Sequence, residues 1–259
     1  MKTSDLTKLK TWFSDYVAGY YTDDSSCNRA VRLKEDHTKR VCSNIVMLCK
    51  ALKVSPQEML LAETMALLHD IGRFKQYAVY GTFSDMNSEN HAMLGLRQIG
   101  KHKILNTLPK DEKKLIAKAI AYHNVAVLPE SEDKNMLFFM RLLRDADKLD
   151  IWKVVIDYYH EREKNPNSTI ELDLPDNNTC SPEILRALLE QRLARIEDLK
   201  TLNDFKLLQI GWVFDLNFAP SFRIVQNQKH IEQIASTLPQ SSEVKKAVKV
   251  ALDYVKSSI

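Results

Sequence analysis

Turn-forming residues are scarce in this chain. Six glycines and eight prolines in 259 residues leave too few breaks for a strand-and-turn architecture, and abundant Leu, Lys, Glu and Ala favour helices. Apolar residues recur at helical spacing. Between Asn28 and Leu52, His37, Val41 and Ile45 fall four apart with Leu33 and Leu48 close by, so His37 is expected to face a core, with Arg40 within reach of the same face. Leu6, Leu9, Trp12, Phe13, Tyr16 and Val17 repeat the pattern over residues 6–21, and the polar run Thr22-Asp23-Asp24-Ser25-Ser26 interrupts it. Ser55-Pro56-Gln57-Glu58 reads as a helix start in which serine and glutamate cap each other and proline takes the first helical position. That helix is expected to run from Pro56 to about His69 and to be ended by Gly72.

Residues 73–88 are expected to be an irregular loop suited to substrate contacts, with Asn87 or Ser88 capping a helix that carries His91, Leu94 and Gln98. A further helix should start near Pro109 and end around Tyr122-His123-Asn124, followed by an apolar one over 135–160 with room for a bend at Asp145-Ala146-Asp147. The polar stretch Asn165 to Asn178 marks a boundary, after which Ser181-Pro182-Glu183 opens another helix. Residues 205–218, with Ile210, Trp212, Val213 and Phe214, are too apolar for a solvated tail, and two more helices are expected over 221–237 and 241–257. The expected fold is all-α: a helical core over residues 1–164 with a C-terminal helical extension, residues 165–259, packed on it.

A net charge of +3 does not provide the basic surface of a nucleic-acid binder, while small phosphorylated ligands remain compatible with it. The four cysteines, Cys27, Cys42, Cys49 and Cys180, form no CxxC pair; Cys42 and Cys49, seven apart, read as buried apolar residues. Met1-Lys2-Thr3-Ser4-Asp5 lacks the apolar run of a signal peptide, and nothing approaches the roughly 18 apolar residues that span a bilayer. A cytoplasmic chain without a membrane partner is the expectation; a homo-oligomer stays open, because the aromatics Trp212, Phe214, Phe218 and Phe222 suit either a core or a dimer surface.

His37, the pair His69-Asp70, His91, His123 and Asp147 are the chemically informative residues. The pair lies where the apolar Leu67-Leu68 meets Ile71-Gly72-Arg73, so one point of the chain delivers a borderline nitrogen and a hard oxygen. Such donors suit a divalent ion, Mg, Mn, Fe, Co, Ni or Zn. A lone histidine on an apolar face is more often a satisfied core residue, and a lone aspartate a cap, so the conjunction carries the argument. His102, His160 and His230 lack this context and read as surface or structural.

The segments His37-Thr38-Lys39-Arg40-Val41, Leu68-His69-Asp70-Ile71-Gly72 and Asp145-Ala146-Asp147-Lys148-Leu149-Asp150 together resemble the HD-domain superfamily of metal-dependent phosphohydrolases, in the order His, His-Asp, Asp. The resemblance implies a bundle of about five core helices and one ion held by His37, His69, Asp70 and Asp147. In several branches two further histidines in this interval hold a second ion, with the aspartate of the pair bridging both. Carried over, those are His91 in Asn90-His91-Ala92 and His123 in Ala121-Tyr122-His123-Asn124; otherwise they are acids or substrate contacts beside a mononuclear site.

Two ions would activate a water for in-line attack at phosphorus and neutralise the developing charge. Asp70 would bridge and position the attacking group, and Arg73 and Lys148 are the candidates for stabilising phosphate oxygens. The expected reaction is hydrolysis of a phosphate ester or anhydride of a nucleotide or related small molecule. The chain lacks the Gly-Tyr-Pro signature of the cyclic-dinucleotide branch. Gly72, Arg73 and Phe74 stand where the nucleotide-monophosphatase branch places an acidic residue, and no carboxylate follows until Asp85. The same ligand order also resembles the di-iron oxygenases of the inositol-oxygenase type, and a non-catalytic HD binding module is a third reading. Of the aromatics in 73–83, Phe74, Tyr77, Tyr80 and Phe83, packing is the simpler role and stacking on a base the alternative.

Overall fold

Helix caps set the order of elements in the computed structural model, which describes residues 1–162 and 171–259; among these no strand occurs. Helix α1 (Thr3–Ala18) precedes α2 (Ser25–Ala51), whose Asp24 side chain accepts from the Ser26 amide. Helix α3 (Pro56–Leu68) starts on the expected reciprocal cap: the Glu58 amide donates to Ser55 Oγ at 3.3 Å and the Ser55 amide to Glu58 Oε2 at 3.2 Å. Then follow α4 (Ile71–Tyr80), α5 (His91–His102), α6 (Lys110–Ala121) and α7 (Lys134–Glu161), the last unbroken through Asp145-Ala146-Asp147.

Three local expectations are corrected. Residues 73–80 are helical, because Ile71, Phe74 and Gln76 form a buried face; Phe74 packs against Phe13, Tyr16 and Tyr20. The loop starts only at Gly81, whose φ of +66° closes the helix in the left-handed region. Gly72 does not end α3: it lies inside α4, against the backbone of α5. The cap of α5 is Asn90, accepting from the Met93 amide at 3.0 Å, so His91 is the first residue of that helix.

The described chain divides into two compact units, Met1–Asp150 and Ile151–Ile259. The boundary expected between residues 164 and 165, and the start of the polar stretch from Asn165, lie outside the described residues. In the first unit α2 packs on α3 and α4, α4 on α5, and α6 on both α3 and α5. Val41, Ile45 and Leu48 of α2 are wholly buried, each contributing about 1.5–3 kcal/mol of apolar burial. Cys42 and Cys49 are buried among them as expected.

The second unit contains α8 (Pro182–Leu189), α9 (Leu202–Gly211), α10 (Ala219–Asn227), α11 (His230–Ala235) and α12 (Ser242–Ser257). A 3-10 turn, Trp212–Asp215, extends the apolar run after α9. The single helix expected over 221–237 is two, broken where Lys229 adopts a φ of 52°. Phe214 and Phe222 both pack on Tyr254; Phe222 is buried and Phe214 half-buried in this unit. No described helix is long and apolar enough to cross a membrane.

Candidate metal centre

Five elements of the first unit converge on one point. His37 comes from the middle of α2. His69 and Asp70 form the corner between α3 and α4, where one residue ends a helix and the next begins another. His91 opens α5, His123 follows α6, and Asp147 lies on α7. The turn bearing His123 is held from α7 by Arg144, which donates to the carbonyls of Tyr122, His123 and Val125.

Asp70 divides the cluster. Its Oδ2 lies 3.6 Å from His37 Nε2 and 3.8 Å from His69 Nε2. Its Oδ1 lies 3.3 Å from His91 Nε2 and 3.8 Å from His123 Nε2. Asp147 Oδ1 brings a second carboxylate to the first pair, at 3.1 Å from His37 Nε2 and 3.6 Å from His69 Nε2. Three sets of donor atoms are close enough to share an ion: His37 with His69 and Asp70, His69 with His123 and Asp147, and Asp70 with His91 and His123.

The opposite ring nitrogens fix the tautomers. His37 Nδ1 donates to Asp150 at 2.7 Å and His91 Nδ1 to Asp85 at 2.7 Å. His69 and His123 each donate Nδ1–H to the carbonyl three residues back, Ala66 and Ile120, both at 2.7 Å. Carbonyls and carboxylates only accept, so each ring carries a proton on Nδ1, and the four Nε2 atoms turn inwards, as lone pairs when the rings are neutral. Each half of the cluster thus has one histidine braced by a carboxylate and one braced by the backbone.

Lone pairs facing each other repel, and here they are close. His37 Nε2 lies 3.3 Å from His69 Nε2, and His91 Nε2 lies 3.0 Å from His123 Nε2. Burial, then the charge of Arg73, keep His91 below the ordinary histidine range despite Asp85; burial, then neighbouring histidines, push His123 down to about 3. A proton is therefore not available to that pair near neutrality. Burial opposes charge on His37 too, but the Asp147 and Asp150 carboxylates facing its two ring nitrogens outweigh it and raise its pKa. Burial would raise Asp70 and Asp147, yet Lys34 and the histidines hold the first, and His37 and His69 the second, well below the usual carboxylate range. Asp147 Oδ1 is buried and accepts no hydrogen bond of good geometry. Inward lone pairs, ionised carboxylates and an orphaned oxygen are the requirements of divalent cations, and the donor set fits them.

The other expected residues are placed as follows. The Arg73 guanidinium donates to Gln76 at 2.9 Å, to Asp85 at 2.9 Å and to the Phe83 carbonyl, and its Nε is 3.6 Å from Asp70 Oδ1. Lys148 is buried on α7 beside Asp147. His102 is exposed, and His230 is buried in the second unit; the Tyr77 and Phe83 rings lie tilted against each other at 4.9 Å. Three contributors escaped the sequence reading. Asp150, one turn after Asp147, could have been found by helical spacing; Asp85, in a loop six residues before His91, offered no periodic signal. Lys34, one turn before His37, donates to Asp70 Oδ2 at 2.8 Å.

No curated protein and no solved structure matches the chain. The family model of the HD domain does match, over residues 35–160, a span containing all six converging residues. The all-α architecture agrees with that match, and residues 35–160 belong to the HD-domain superfamily.

Proposed function

We propose that the protein is a metal-dependent phosphohydrolase acting on a phosphate ester or anhydride of a nucleotide or related small molecule. The division of Asp70, one oxygen towards His37 and His69 and the other towards His91 and His123, is the observation that carries this reading. It favours two ions over one, with Asp70 shared between them, Asp147 completing the first pocket and His91 and His123 the second. The superfamily consists mostly of metal-dependent phosphohydrolases, and this chain retains each residue of the six-ligand pattern.

Bound divalent ions would supply a water acidified towards neutrality and would offset charge on the phosphate. The chain's own part is preorganisation. Asp150 and Asp85 hold the rings of His37 and His91 with Nε2 directed inwards, as the carbonyls of Ala66 and Ile120 do for His69 and His123. Arg73, between Asp70 and Asp85, and Lys148, beside Asp147, add the positive charge that a phosphate needs. The expected cofactor is a divalent ion from the Mn, Fe, Co, Ni, Zn and Mg series.

The test is elemental analysis of protein purified without chelator, with phosphate release from nucleotides and from p-nitrophenyl phosphate followed on the same sample. About two ions per chain, hydrolysis abolished by chelation and restored by metal, and loss of both in Asp70→Asn are the expected results. Failure to bind metal after add-back sinks the reading. Retained iron with oxygen consumption and no phosphate release would replace it by the oxygenase alternative.

A further inference from the structure

Lys34 has no task in the scheme above, yet it lies against the centre. Its ammonium donates to Asp70 Oδ2, the oxygen that also faces His37 and His69, and sits 5.4 Å from the centroid of the Phe83 ring. Its side chain is partly open to solvent, whereas Asp70 is buried. The two neighbouring arginines are committed differently: Arg40 to Asp150, at 2.6 and 3.1 Å, and Arg73 to Asp85, Gln76 and the Phe83 carbonyl. Those two carboxylates brace histidine rings and, not being candidate ligands, are free to keep their arginines. Asp70 does not have that freedom, because it is itself a candidate ligand.

We propose that Lys34 has two successive partners: the Asp70 carboxylate when the centre is empty of metal, and a phosphate group of the substrate when it is loaded. This rests on the phosphohydrolase reading and assigns a substrate-binding residue to it. Divalent ions sharing Asp70 would spend the negative charge that holds the ammonium, and like charges a few ångströms apart repel. The unbranched lysine stem allows the ammonium to swing towards solvent without moving α2. A phosphate, carrying roughly −1.5 to −2 charges near pH 7, is then the anion within reach. Lys34 thus competes with metal for Asp70 and joins the metal in binding phosphate.

The test uses the full chain, stripped by chelator, as wild type, Lys34→Met and Lys34→Arg, with circular dichroism confirming that each is folded. Calorimetric titration with manganese reads the competition; titration of inorganic phosphate into the manganese-loaded proteins reads the anion site. Lys34→Met should bind manganese about tenfold more tightly and phosphate about tenfold or more weakly, while Lys34→Arg should keep the phosphate affinity. Manganese affinity unchanged or weakened in Lys34→Met would make the lysine a brace for Asp70 and overturn the proposal. Equal phosphate affinities, or no phosphate binding by loaded wild type at millimolar concentration, would overturn it as well. A wild type that takes up no manganese or other divalent ion fails at the earlier step, and the phosphohydrolase reading falls together with the Lys34 assignment.

Discussion

Gly72 places a methyl-sized demand on the centre that can be tested directly. A Cβ on Gly72 would lie 2.1 Å from the His91 carbonyl oxygen and 2.6 Å from the Gly95 amide nitrogen. Both obstacles are backbone and have no rotamer to escape into. Non-bonded carbon contacts settle at about 3.5 Å, so Gly72→Ala must part α4 from α5 by about 1 Å where they touch. Overpacking of this kind costs about 3 kcal/mol, which for a chain of this size lowers the melting temperature by roughly 6–12 °C. The displacement falls on the first residue of α5. His91 Nε2 is 3.3 Å from Asp70 Oδ1, and a shift of that order removes it from the second pocket while His37, His69 and Asp147 stay. Calorimetric melting with elemental analysis of the same sample is the assay: a lower melting temperature, and about one ion per chain in place of two. Gly100→Ala, on α5 with nothing within 4 Å of the added methyl, is the control and should be neutral or stabilising. A Gly72→Ala protein that melts like wild type and keeps two ions would refute both the packing argument and the assignment of His91.

Asp150→Asn and Asp85→Asn should act on different pockets, because each carboxylate braces one histidine. Metal affinity should drop about 10–100-fold at the affected pocket and little at the other; identical losses at both pockets in manganese titrations would contradict the division. His230, buried and ring-stacked on Trp152 at 5.8 Å, is kept neutral by burial and then by the charge of Lys153, with its pKa pushed down to about 4. The unfolded chain takes up that proton near pH 6.5, so stability present at neutral pH is lost as the pH falls from about 6.5 to about 4. Between pH 7 and pH 5 the loss from this group is about 2 kcal/mol. Urea unfolding of chelator-stripped wild type and His230→Gln should show the variant losing that much less; equal losses would mean that His230 is not held neutral.

Much of the secondary structure was legible because its causes are local. The reciprocal cap of Ser55 and Glu58, the prolines opening α3 and α8, and the four-residue spacing of His37, Val41 and Ile45 all act within one or two helical turns. The errors came where a distant partner overrode the local signal. Gly72 carries the look of a helix terminator, yet its small size is used against α5. Residues 73–80 look irregular because their apolar face is short, and it becomes a face only when Phe13, Tyr16 and Tyr20 of α1 cover Phe74. Lys229 gave no sign of breaking a helix, since its left-handed conformation is set by how its neighbours pack.

Side-chain chemistry and order along the chain singled out the six converging residues, helical period said which way His37 faces, and the family resemblance suggested how His91 and His123 belong with the others. Tertiary structure alone decided what those residues do to one another. Asp70 meets two histidine pairs with two different oxygens, Asp150 reaches His37 across 113 residues, and Lys34 reaches Asp70 across 36. Such pairings leave no trace in local periodicity, for they depend on the angles at which buried helices cross, and those angles are fixed only when the whole core packs.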